Sequence, residues 1–279
     1  MATKNAASSA KKQSAKKQTT TKVTTVKAVE SRPATSVSAG RSSFIKRLNR
    51  TPLIAAAVAE FVGTFLLTAV IVTQQNQPIA LLFAVVGIVL ILGGLSGAHI
   101  NPIVTIGAWV TRKVEGPRAA IYLVAQVLGA ILALVMLSGF IGQASAVNEQ
   151  AAAMGQVAPE LFRAAAIPEG KEWTLLFAEL VGAAILGFAY ASALRKGREK
   201  IVSAFTIGSG YFLALVVAGT AATYVNASAV LNPAAAVALQ AINFSGVWSI
   251  AIYVVAAAIG GVAGFALFDL LRNAEEDKA

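Results

Sequence analysis

The chain has 279 residues, of which 57% are hydrophobic and only 13% charged, and it contains no cysteine. Soluble domains average about 25% charged residues, so this composition, with a mean hydropathy of +0.70, points to a membrane protein. It excludes disulfide and thiolate chemistry and leaves the compartment open.

The net charge of +10 sits at one end: residues 1–50 hold 12 of the 23 Lys and Arg and a single acid, Glu30. This first segment is rich in Lys, Ser, Thr and Ala and cannot bury enough apolar surface to offset its ordering entropy, so it reads as a disordered basic tail. It lacks the apolar core of a secretory signal and favours Lys where transit peptides favour Arg. A solvated anchor beside an anionic leaflet or a specific partner site would both use that charge.

Six apolar stretches follow, near 52–73, 79–97, 119–141, 173–194, 201–222 and 247–271, each of the roughly 20 residues that cross a bilayer as a helix. Two shorter apolar segments, about 101–111 and 232–242, follow the second and fifth. Helices of about ten residues span only some 15 Å, so these reach the midplane without crossing. With six spans, the tail, Arg112-Lys113 with Arg118, and Arg195-Lys196 with Arg198 and Lys200 share one side. The positive-inside rule then predicts that both termini are cytoplasmic; the expected location is the plasma membrane. The domain reading is a tail over 1–50, a channel domain over 51–272 (repeats about 51–141 and 172–272) and a short tail over 273–279.

The chain repeats itself. AEFVGTFLL at 59–67 returns as AELVGAAIL at 178–186, and the Asn-Pro step at 101 returns at 232. Two halves of three spans in the same order have opposite orientations, since three is odd. The fold class is therefore an all-α membrane protein with six transmembrane helices plus two re-entrant half-helices in an inverted three-plus-three repeat, whose ligand path is expected between the halves.

Asn is a favoured helix N-cap and Pro suits the first helical position, where its missing N–H costs nothing. Each Asn-Pro is thus a helix start, and the two half-helices would meet N-terminus to N-terminus. Backbone polar groups at that depth are tolerated only inside protein or along water. Two Asn amides and two partial positive helix ends there would bond water and repel cations.

SGAHINP followed by VT, the second LNPA, the paired AExxG spans and the six-plus-two layout resemble the major intrinsic protein family of aquaporins and glycerol facilitators, over about 50–272. The resemblance implies passive, cofactor-free permeation of water or small neutral solutes, and a homotetramer with one pore per subunit. It implies that Asn101 and Asn232 face the pore, with Pro102 and Ile103, and Pro233 and Ala234, completing the two motifs. Ile103 replaces the usual Ala, and its bulk is expected to bear on how the half-helices meet. Glu60 and Glu179 resemble braces for the re-entrant loops, and His99 lies beside the first motif. A proton relay is the other use of such glutamates, and a pH sensor or metal ligand that of His99. With no second His and no Cys, packing or hydrogen bonding suits His99 better. The glycines at 63, 93, 94, 97, 182 and 260–264 read as close-packing positions.

One departure stands out. The family's filter Arg, three residues after the second Asn, is Ala235 here, and residues 201–271 contain no Lys or Arg. The other filter positions fall on Leu81 (with Phe83 nearby), on Thr220 or Gly219, and on Ala229 or Ser228. Such a filter is wide, apolar and uncharged, which predicts relaxed size selection. The acidic residue that marks glycerol facilitators is replaced by Ala236, whereas Tyr253 leans to the water-channel branch. The sequons at Asn226 and Asn243 lie in re-entrant surroundings and carry little weight. No nucleophile–base–orienter set, metal cluster or cofactor loop is visible, so an enzyme is not expected. A non-conducting protein of the same fold and a secondary transporter remain the alternatives. Nucleic-acid binding by the tail rests on charge alone, with no aromatic before Phe44.

Overall fold

A computed structural model describes residues 51–141, 150, 153–154, 160–195, 197–244 and 246–276. The basic tail over 1–50 and the last three residues lie outside that range. All regular structure among the described residues is helical: α1 (Thr51–Thr73), α2 (Pro78–Ser96), α3 (Pro102–Val110), α4 (Gly116–Ile141), α5 (Glu172–Ala193), α6 (Lys200–Thr223) and α7 (Pro233–Ala238). The last span, α8, runs through Val247–Ile250, a π-helical turn at Ala251–Ala256, and Ala257–Glu276. Six of these helices are long and apolar enough to cross a membrane. This is a multi-pass membrane protein.

The two halves are built alike. In the first, α1 packs on α4 and α2; in the second, α5 packs on α8 and α6. The halves then exchange their short helices, α3 resting on α8 and α7 on α4, while α2 and α6 touch across the junction. Matching glycines permit the closest approaches. A methyl on Gly129 would come inside 3.0 Å of the Phe61 carbonyl oxygen, and one on Gly260 would do the same at Leu180. Both pairs join the first and last spans of a half at the same register.

Two sequence expectations change. The final helix continues through Glu276, past the end of the channel domain placed at 272. The second half-helix is also shorter than its mate, six residues against nine. Both end in the same way. Arg112 and Gln240 take left-handed φ values of 60° and 57°. The next residue, Lys113 or Ala241, sends its N–H back to Ala108 or Ala236. This Schellman stop arrives three residues sooner after Asn232 than after Asn101. No Gly or Pro marks it, which is why the apolar run 232–242 reads as a longer helix.

Candidate functional site

Each half-helix starts as its first two residues dictate. Asn101 Oδ1 accepts the Ile103 N–H at 2.9 Å, and Asn232 Oδ1 accepts the Ala234 and Ala235 N–H groups at 3.0 and 3.2 Å. Pro102 and Pro233 take the first helical position, where no donor is needed. With their oxygens used as caps, the two amides turn their nitrogens toward the opposite half. Asn101 Nδ2 donates to Leu231 O at 2.7 Å, and Asn232 Nδ2 to Ile100 O at 3.3 Å. The exchange is reciprocal, as two-fold symmetry requires.

The segments entering each Asn are strained and held. Ile100 and Leu231 both have left-handed backbones, with φ of 48° and 51°. That conformation is uncommon for any side chain and worst for a β-branched one. A buried carboxylate secures each segment. Glu60 accepts the His99 and Ile100 N–H groups at 2.8 and 2.7 Å, and Glu179 accepts those of Val230 and Leu231 at 2.6 and 3.2 Å. Gly63 and Gly182 leave the notches that receive the Ile100 and Leu231 side chains. From the last span of each half a tyrosine hydroxyl also reaches in: Tyr122 donates to Ser96 O at 2.8 Å, and Tyr253, on the π turn, to Ser228 O at 3.0 Å.

The first half adds polar groups that the second lacks. Gln126 Nε2 donates to Glu60 and to Thr105 Oγ1, both at 2.8 Å. His99 Nδ1 lies 3.2 Å from the same threonine hydroxyl. The imidazole is clamped edge-on between Tyr122 and Tyr190, with ring centroids 5.3 and 5.8 Å away. Tyr190 in turn donates to the carbonyls of Gly97 and Ala98. The equivalents of His99, Thr105 and Gln126 in the second half are Val230, Ala236 and Ala257. Among the described residues no group of His, Asp and Glu could hold a metal ion.

Ile103 packs closely against α8. It is fully buried, and a methyl built on Gly261 of α8 would meet its Cγ2 at 2.5 Å. In the second half the matching contact joins Ala234 and Ala130. A large-and-glycine pair on one side thus fills the space of an alanine pair on the other.

The four filter candidates do not converge on one surface. Leu81, Ala229 and Ala235 are buried. Ala229 lines a cavity of about 550 Å³ together with Thr220, Leu215 and Asn76. Asn76 Nδ2 donates to Ala229 O at 2.9 Å. Thr220 is exposed, its hydroxyl folded back on Val216 O at 2.6 Å. It follows Tyr211 by nine residues, about two and a half turns at 3.6 residues per turn, so it lies on the opposite face of α6. Leu215, one turn from Tyr211, holds the inward face. Eight residues link α6 to Asn232, against four between α2 and Asn101, so the two halves reach their Asn-Pro steps through connections of different length.

Tyr211 was invisible to the sequence reading. Its hydroxyl accepts from Asn101 Nδ2 at 2.5 Å, and Asn232 hydrogen-bonds the same side chain. An aromatic in an apolar span carries no sign of its own that it faces the centre. Tyr122 and Tyr253 were better signalled, being spaced by the same 131 residues as the two asparagines.

With two capped half-helices meeting between inverted halves, the comparison with known proteins is direct. The profile of the Major intrinsic protein family matches residues 47–268. This chain belongs to the major intrinsic protein family. It is 32% identical over 199 residues to Aquaporin PIP2-5 of Oryza sativa subsp. japonica, covering 61% of this chain and 66% of that one. It is 29% identical over 213 residues to Aquaporin AqpM of Methanothermobacter marburgensis, covering 63% and 78%. The match to Probable aquaporin PIP2-8 of Arabidopsis thaliana spans only 36% of that protein. Among solved structures, an aquaglyceroporin from Plasmodium falciparum superposes with a TM-score of 0.60 at 20% identity, over 81% of this chain and all of its own. That last likeness concerns the fold.

Proposed function

We propose that this member of the major intrinsic protein family is a passive channel for water and small neutral solutes such as glycerol, urea or ammonia. The observation that carries the reading is the reciprocal exchange of Asn101 and Asn232 across the two half-helix starts. Two positive helix ends and two amides at one point favour neutral hydrogen-bonding molecules and oppose cations. The relatives' name, aquaporin, agrees with a channel for water. In this reading Thr220 and Ala229 border the outer cavity, and with Ala235 in the place of the usual Arg the filter carries no fixed charge. Size selection at the mouth is correspondingly loose.

Glu60, Glu179 and His99 act here as supports. Each is spent on fixed hydrogen bonds or ring packing, which leaves no free acid or base at the centre for a coupled transporter. The basic tail lies on an anionic cytoplasmic leaflet of the plasma membrane, both termini are cytoplasmic, and four copies assemble with one pore each. Solute influx into proteoliposomes tests the channel reading against a carrier. Influx of urea or glycerol should rise linearly with the gradient, without counterflow or proton coupling. Saturation with counterflow would favour a secondary transporter. A specific observation favours one further reading, a non-conducting protein of the same fold: the amides at the centre are bonded within the protein.

A further inference from the structure

The amide nitrogens of both asparagines at the centre find acceptors within the protein. A carboxamide nitrogen carries two protons. Those of Asn101 go to Leu231 O at 2.7 Å and to the Tyr211 hydroxyl at 2.5 Å. Asn232 gives one of its own to Ile100 O at 3.3 Å, and the same hydroxyl stands beside its amide. One tyrosine oxygen therefore occupies the place where both asparagines could present a donor to a passing molecule. The ring itself is fully buried. It stands on α6, the helix that meets α2 across the junction of the halves.

Resting on the channel reading, we propose that Tyr211 sets the central barrier: its hydroxyl stands in for the permeant at the two asparagines, so each permeating molecule must displace it. The residue limits permeation in two separable ways. The hydroxyl competes for the amide donors, and the ring occupies cross-section. Water, small and able both to donate and to accept, replaces the hydroxyl with least displacement of the ring. Glycerol needs the ring to move further. Discrimination between solutes is thereby transferred from the mouth, where Ala235 stands, to the centre.

Two variants separate the effects in proteoliposomes of matched protein content. Tyr211→Phe removes the hydroxyl and keeps the ring. Water flux should rise about tenfold, the factor corresponding to 1.4 kcal/mol and within reach of one or two net hydrogen bonds, with the glycerol-to-water flux ratio unchanged. Tyr211→Ala removes both and should raise that ratio as well. Should Tyr211→Ala fail to assemble, Tyr211→Phe alone decides, since it preserves the packing. Wild-type flux above empty vesicles with neither variant faster overturns the role of Tyr211 and leaves the channel reading standing. A silent wild type with a conducting variant supports both. Silence of all three folded proteins overturns the channel reading and the role of Tyr211 together.

Discussion

Glu60 and Glu179 perform the same task 119 residues apart: each carboxylate accepts two consecutive backbone N–H groups from the segment entering an Asn-Pro step. The second donor of each pair belongs to a residue with a left-handed backbone, Ile100 or Leu231. Carboxylate and strain thus sit side by side in both halves, the hydrogen bonds offsetting part of what the backbone costs.

Removing either acid strands buried donors. Glu60→Ala and Glu179→Ala should each lower stability by about 3 kcal/mol, from donors left unpaired. Glu→Gln should cost less, because an acceptor oxygen survives. Thermal unfolding in detergent checks the order. Alanine variants as stable as wild type would show that the loops hold themselves.

The Ile103–Gly261 contact makes a testable volume pair. Gly261→Ala should destabilise by roughly 1–3 kcal/mol through overpacking, and Ile103→Ala by roughly 2–4 kcal/mol through the space it leaves. Combined, they resemble the alanine pair of the second half at Ala130 and Ala234 and remove the clash with Ile103 Cγ2, leaving the 2.8 Å approach to the Ile103 carbonyl oxygen. A double-mutant cycle should show a favourable coupling of about 1 kcal/mol or more. Strict additivity would mean the two side chains do not share that space.

Glycines divide into two kinds. Gly129→Ala and Gly260→Ala drive a methyl toward the carbonyls of Phe61 and Leu180 and should reduce the yield of folded protein. Gly139→Ala and Gly219→Ala meet nothing within 4 Å and should be neutral or slightly stabilising. Size-exclusion profiles and melting curves of the four variants would separate the groups.

Ala235→Arg restores the residue the family resemblance leads one to expect. It should reduce glycerol and urea flux more than water flux, by narrowing the mouth and adding fixed donors. Light scattering with each osmolyte measures this. Equal effects on all three would place Ala235 away from the path.

The architecture was legible because two signals are strong in a membrane chain. Apolar length marks the spans, and Asn-Pro inside apolar sequence can hardly be anything but a helix start. The site was legible as far as symmetry carried it: Glu60 with Glu179, and Asn101 with Asn232. It failed where symmetry breaks. Thr220 was placed by counting through a connection longer in the second half than in the first. The early end of α7 depends on Gln240 adopting a conformation usually left to Gly. The partner that makes room for Ile103, Gly261, is 158 residues away. Tyr211 has no symmetric mate to announce it.

Osmotic shrinkage of proteoliposomes, followed by stopped-flow light scattering, tests the central claim most directly. Wild-type vesicles should shrink faster than empty ones, in proportion to the protein-to-lipid ratio, and vesicles with Tyr211→Ala faster still. Rates equal to empty vesicles for both proteins, from folded preparations, would contradict the assignment of Asn101 and Asn232 to a conducting path.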